Sequence, residues 1–267
     1  MPMNKSETVM TNETIKQDDT NNHWAWVPGV LFKPRSTTQK IVRQEKAVWH
    51  IPLIILSILS ILVIIAAAPI KRENAQMGAS MPEDSQWWSE EQIAKYQEAQ
   101  QNMTSGTFMY LFPAISKLIG IWFNWLVFSS VLYLALTLAG SRAPRLKSSN
   151  LVAWAMLPLA LRHIVELILI FSRRQLPSGT ALASLIGETK SMGLSLVKGM
   201  LGQIDAYWLW FVIILFIGGV YLAGIKRSKA LWVVALVILI MLVIQGVPTM
   251  ISQYLNSLSG SGFNMYF

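Results

Sequence analysis

Cysteine is absent from all 267 residues, which excludes disulfides and thiolate metal sites. Charge is scarce: 13% of residues are charged against the roughly 25% usual for soluble domains, while 53% are hydrophobic. There is no visible nucleophile and base constellation, phosphate loop or metal cluster, so neither an enzyme nor a cofactor is indicated. Nor is there a short basic n-region ahead of the first hydrophobic run. A polar stretch reaching Lys46 precedes it instead, so the run reads as an uncleaved signal anchor, with Ala66-Ala67-Ala68 the weaker reading as a cleavage site.

What the chain has in abundance is long apolar runs. A run of about 18 or more such residues crosses a bilayer as a helix, because a helix satisfies its own backbone hydrogen bonds in lipid. Five runs qualify, near 47–69, 118–139, 150–171, 204–224 and 230–250. The predicted fold class is all-α: a polytopic membrane protein of five transmembrane helices with interfacial amphipathic helices. The predicted divisions are a disordered cytoplasmic tail (1–22), an interfacial cytoplasmic segment (23–46), the five-span domain (47–250) and a short outer tail (251–267).

The net charge of +8 is placed beside span ends, which argues for membrane lipids as the contact and against nucleic acid. Thirteen Lys and Arg fall in the N-terminal tail, the 140–149 loop and the 225–229 loop; seven fall in the two opposite loops. The positive-inside rule then puts the N-terminus in the cytoplasm and, after five crossings, the C-terminus outside.

Several flanking segments have local signatures. Trp24, Trp26, Val27, Val30, Leu31 and Phe32 lie just before Lys33 and Arg35, a pairing that suits headgroup level. Ser36 with Gln39 forms a capping-box pattern and predicts a basic helix through Lys46, against the inner leaflet or as a docking face. His50 reads as interfacial. In the first outer loop, Ser89 with Gln92 predicts a second capping box, Glu91 with Lys95 an i,i+4 pair, and Trp87-Trp88 a surface anchor. Residues 107–116 read as interfacial, with Pro113 and Lys117 dividing them from the second span. Leu182, Leu185, Ile186, Thr189, Gly193, Leu196, Val197 and Met200 recur at helical spacing after a possible cap at Ser178-Gly179-Thr180. That pattern predicts an amphipathic helix on the outer leaflet, or a lid over the third span.

The third span is where chemistry concentrates, because Arg162, His163 and Glu166 interrupt it. Arg162 and Glu166 share a helix face and can pair locally, with His163 about 100° around the axis. A central charge costs about 2.5–3.5 kcal/mol on insertion scales, so such residues face a neighbouring helix or a wet cavity. A structural polar pair and a substrate or proton path both fit; one histidine and one carboxylate are too few for a metal site. Pro158 is placed to kink this helix. Asp205 stands at the outer mouth of the fourth span, where Gly219 and Ala223 form a small-residue face for close packing. Lys226-Arg227-Ser228-Lys229 is a tight basic turn into the fifth span, which only Gln245 and Pro248 interrupt.

Five closely spaced spans behind a cytoplasmic tail resemble the Ypt-interacting-protein (Yip) domain family in its bacterial branch. The resemblance is carried by Val30-Leu31-Phe32-Lys33-Pro34 followed by Ile41, by Pro158 in its Ala-Met-Leu-Pro context, by Ile204 through Trp210 with Gly218-Gly219, and by Ser228-Lys229-Ala230-Leu231. Phe32, Pro34, Pro158, Asp205 and Trp210 are its motif positions. It implies a non-enzymatic protein of the bacterial inner membrane without cofactors, acting as an accessory or scaffold subunit. By the same resemblance, partners would be subunits of an export-type ABC transporter that protects against secreted toxic peptides, or a GTPase by eukaryotic analogy. The competing reading is a small transporter or channel with its polar path at Arg162, His163 and Glu166; the absence of a visible internal repeat counts against it.

Overall fold

The computed structural model describes residues 23–77, 83–176, 181–187, 189 and 191–258. The expectations for the tail 1–22, for Ser178-Gly179-Thr180 and for the last nine positions, 259–267, lie outside the described residues. The fold is all-helical there, and five helical stretches are long and apolar enough to cross a membrane: His50–Gln76, Thr107–Leu138, Arg145–Arg173, Ala206–Ala223 and Arg227–Leu255.

The chain opens with two short helices, α1 (Trp26–Phe32) and α2 (Pro34–Arg43). They part at Lys33, whose φ of −131° and ψ of 57° are non-helical, because a proline disfavours helical backbone in the residue before it. The expected capping box at Ser36 and Gln39 does not form. Pro34, its φ already set for a first helical position, starts the helix three residues earlier, and Ser36 Oγ donates to the Lys33 carbonyl instead (3.2 Å). Thr37, Thr38, Ile41 and Val42 form the buried face of α2, while Lys33, Arg35, Lys40 and Arg43 are exposed.

The first span is α3 (His50–Met77), which runs through Pro69 beyond the predicted end. The loop helix α4 (Glu90–Met103) carries the predicted capping box: Gln92 N–H donates to Ser89 Oγ (3.3 Å) and Ser89 N–H to Gln92 Oε1 (2.9 Å). Glu91 and Lys95 pair at 2.7 Å. A π-turn over Thr107–Leu111 leads into α5 (Phe112–Leu138), so 107–116 and the second span form one continuous helical stretch. Pro113 sits in the first turn of α5, where proline costs little, and leaves Lys117 inside the helix.

The third span is two helices, α6 (Arg145–Ala155) and α7 (Leu157–Arg173), parted at Met156. Pro158 causes the break, since it has no N–H for the Trp154 carbonyl one turn back. The predicted amphipathic helix of the second outer loop is also divided, into α8 (Ala181–Ser184) and α9 (Met192–Gln203), with Gly187 in the unwound interval. The fourth and fifth spans are α10 (Ala206–Ala223) and α11 (Arg227–Leu258).

Helix α6 is the centre of the bundle. Every residue from Ser148 to Ala155 is buried, as befits a helix with neighbours all round. Gly218 of α10 lies against Leu151 of α6, and a Cβ on Gly219 would stand 2.7 Å from Val234 of α11, which realises the close contact predicted for the small-residue face. Gly199 of α9 crosses Gly246 of α11 just as tightly: its Cβ would meet the Gly246 carbonyl at 2.8 Å.

The N-terminal pair is folded onto this centre. Trp26 is only 5% exposed and its ring centroid lies 5.5 Å from that of Trp154. The linker to α3 is held by side chains of α6: Asn150 Oδ1 accepts from Val48 N–H (3.0 Å), Asn150 Nδ2 donates to the Lys46 carbonyl (2.9 Å), and Trp154 Nε1 donates to the Val48 carbonyl (3.1 Å). The Val48 N–H and the Lys46 and Val48 carbonyls, outside any helix, are thereby satisfied. Trp24 and Phe32 remain exposed.

Candidate functional site

At 1.5 Å per residue, Arg162 lies about 17 Å before Arg173, where the third span ends. Here α7 brings Arg162, His163 and Glu166 beside the start of α10. Arg162 does not pair with Glu166. Its Nε donates to Asp205 Oδ2 at 2.7 Å, and its guanidinium makes a second contact with the same oxygen. Glu166 turns back to His163, with Oε2 at 2.7 Å from Nδ1; an ionised Glu166 is an acceptor only, so the imidazole Nδ1–H is the donor.

Asp205 has two tasks. Its backbone is extended (φ −136°, ψ −178°), the usual state of an N-cap, and its Oδ1 accepts from Trp208 N–H at 2.7 Å. Its Oδ2 is left for Arg162 of the neighbouring helix. One carboxylate therefore both starts the fourth span and ties it to the third. The helix break at Ile204, with ψ of 107°, makes this possible by turning the first residues of α10 inward from the end of α9.

Lys117 of α5 comes within electrostatic reach of both Glu166 and Arg162. It is exposed and lies at the edge of the cluster. Two cations, two carboxylates and a histidine sum to zero with the imidazole neutral. Arg162, Asp205 and Glu166 are about a quarter exposed or less (side chains 26%, 21% and 23%) and His163 is buried.

This arrangement fixes helices and neutralises charge. Among the described residues, one shallow groove is lined by Ile61, Ile64, Ile65, Tyr110, Leu111 and Ala114 and another by Phe216, Ser228, Leu231, Trp232 and Ala235, and neither of these includes a cluster residue. Among the described residues no three His, Asp or Glu side chains converge as a metal site.

The remaining motif positions lie apart from the cluster. Phe32 ends α1 and is exposed, Pro34 opens α2, and Trp210 packs partly buried within α10. Pro158 is one turn before Arg162 in α7 and sets its direction. What the residues alone did not yield was the pairing of Arg162 with Asp205, across 43 positions. The available signal was local: a lone Asp three residues ahead of Trp208, opening an uncharged run, is an N-cap with one oxygen to spare.

The architecture defines a multi-pass helical membrane protein. A family model for the Yip1 domain matches residues 29–247, from α1 through most of α11. The chain belongs to the Yip1 domain family. No curated protein and no solved structure matches it.

Proposed function

We propose that this protein is a non-enzymatic accessory or scaffold subunit of a larger membrane complex. The observation that carries this reading is the internal pairing of the polar cluster: Arg162 is taken by Asp205 and His163 by Glu166. Polar residues so arranged orient helices; a transport path keeps groups free for cargo. The family membership supports the same view. The partner we favour is an export-type ABC transporter that protects against secreted toxic peptides, of the kind some bacterial members of the family accompany, with a GTPase as the partner by analogy to eukaryotic members. The charge asymmetry supports a cell-membrane location with the N-terminus cytoplasmic and the C-terminus outside.

A transporter or channel is the second reading. It is favoured by the break between α9 and α10 beside Asp205, a carboxylate at the mouth of the fourth span, since interrupted helices beside charged groups line transporter sites. Affinity purification of the tagged protein from its native membrane in mild detergent, with mass spectrometry of what co-purifies, separates the two. Stoichiometric recovery of a permease, its ATPase or a GTPase supports the scaffold reading. Recovery of this chain alone in one stable oligomeric state contradicts it.

A further inference from the structure

We propose that the groove between α10 and α11, at the basic turn that joins them, binds one anionic phospholipid. Phe216 of α10 forms one wall, and Ser228, Leu231, Trp232 and Ala235 form the other. These four residues of α11 recur at intervals of three and four, so they make one stripe about 10 Å long running down from the turn. Arg227 stands one helical turn before Leu231 on that stripe, flanked by Lys226 and Lys229. A headgroup at the turn would therefore meet three cations while its upper acyl chain lies along the apolar wall.

Charge complementarity selects the occupant. Lys226, Arg227 and Lys229 are exposed and enter none of the ion pairs among the described residues. No Asp or Glu occurs after Asp205 in the chain, so nothing on these two helices beyond the cap competes with an incoming phosphate. The other basic loop differs, because Arg145 is engaged with Ser130 Oγ (3.3 Å). Below the turn the outer face of α11 presents Trp232, 78% exposed, then Leu236, Leu239 and Ile240, a surface suited to lipid. An acidic peptide strand laid there would leave its backbone groups unsatisfied in hydrocarbon, whereas a phospholipid has none to satisfy. Trp232 at the rim matches the depth at which indoles settle near headgroups.

The test uses the full-length protein, delipidated in mild detergent, mixed with equal amounts of dioleoylphosphatidylglycerol and dioleoylphosphatidylcholine and weighed by native mass spectrometry. The wild type is expected to retain one phosphatidylglycerol in preference. At about a fivefold effect for each basic residue near a headgroup, Lys226→Gln with Arg227→Gln and Lys229→Gln lowers that preference on the order of a hundredfold. Ala235→Phe fills the groove without touching charge and is expected to abolish the single retained lipid. Trp232→Ala, at the exposed rim, gives a partial loss and serves where Ala235→Phe does not fold. Equal retention of both lipids by the wild type overturns the proposal. So does full phosphatidylglycerol retention by whichever groove variant folds, since the attraction would then be diffuse.

Discussion

Asp205→Ala removes two interactions with one substitution. The Trp208 N–H loses its cap, at about 1 kcal/mol. Arg162 loses its carboxylate and remains as an uncompensated charge among apolar helices, and breaking a buried pair in this way costs about 3–5 kcal/mol. Both partners keep some exposure, so the lower end of that range applies, and the variant should lose about 4 kcal/mol in all. Asp205→Asn separates the terms, because asparagine caps as well as aspartate and only the ion pair is lost. Arg162→Leu with Asp205→Asn removes both charges and should recover most of the stability. A double-mutant cycle, followed through intrinsic tryptophan fluorescence as sodium dodecyl sulfate is titrated into mixed micelles, measures the coupling. The expected coupling is about 2–3 kcal/mol. Hydrogen bonds between membrane helices average about 0.6 kcal/mol, so a coupling at or below that value refutes the view that this pair ties the third and fourth spans together.

Asn150→Leu keeps side-chain volume but leaves Val48 N–H and the Lys46 carbonyl without partners; at about 1–3 kcal/mol each, α1 and α2 should loosen, seen as faster hydrogen exchange over 26–43 with α10 unaffected. Gly199→Leu should force α9 away from α11, since even a Cβ would meet Thr249 Oγ1 at 2.7 Å; limited proteolysis between 185 and 191 should accelerate, whereas Gly202→Ala, with its nearest neighbour at 3.8 Å, should change nothing. The cysteine-free sequence suits topology mapping: a membrane-impermeant maleimide applied outside whole cells should label Gln97→Cys on α4 and leave Ser228→Cys unlabelled until the membrane is opened. The reverse pattern would invert the orientation.

Length and composition carried the gross architecture, because a bilayer demands runs of about 20 apolar residues and little else. Short-range chemistry was equally legible where both partners are near in sequence: the Ser89 and Gln92 cap and the Glu91–Lys95 pair form as predicted. Prolines decided where helices start and break: Pro34 starts α2 ahead of Ser36, which the capping pattern did not show, while Pro158 divides the third span where a kink was expected. The site was half legible, for a related reason. Arg162, His163 and Glu166 announce themselves by their cost in an apolar run, and helical spacing suggested a local pair of Arg162 with Glu166. Glu166 instead bonds His163, because Asp205, held extended by its own capping geometry, presents a free oxygen to Arg162. No pattern within α7 contains that information. The burial of Trp26 against Trp154 escaped the sequence in the same way: tryptophan beside basic residues suits an interface, and only the packing shows that one indole is turned inward.

The most direct test of the account is to carry the charge-free double variant, Arg162→Leu with Asp205→Asn, back into the native membrane. Because it removes both members of the pair together, it should fold. The account predicts wild-type recovery of the co-purifying complex and wild-type activity of that complex. A variant that is folded and fully assembled with its partners yet inactive would show that these charges serve a transport path, and would contradict it.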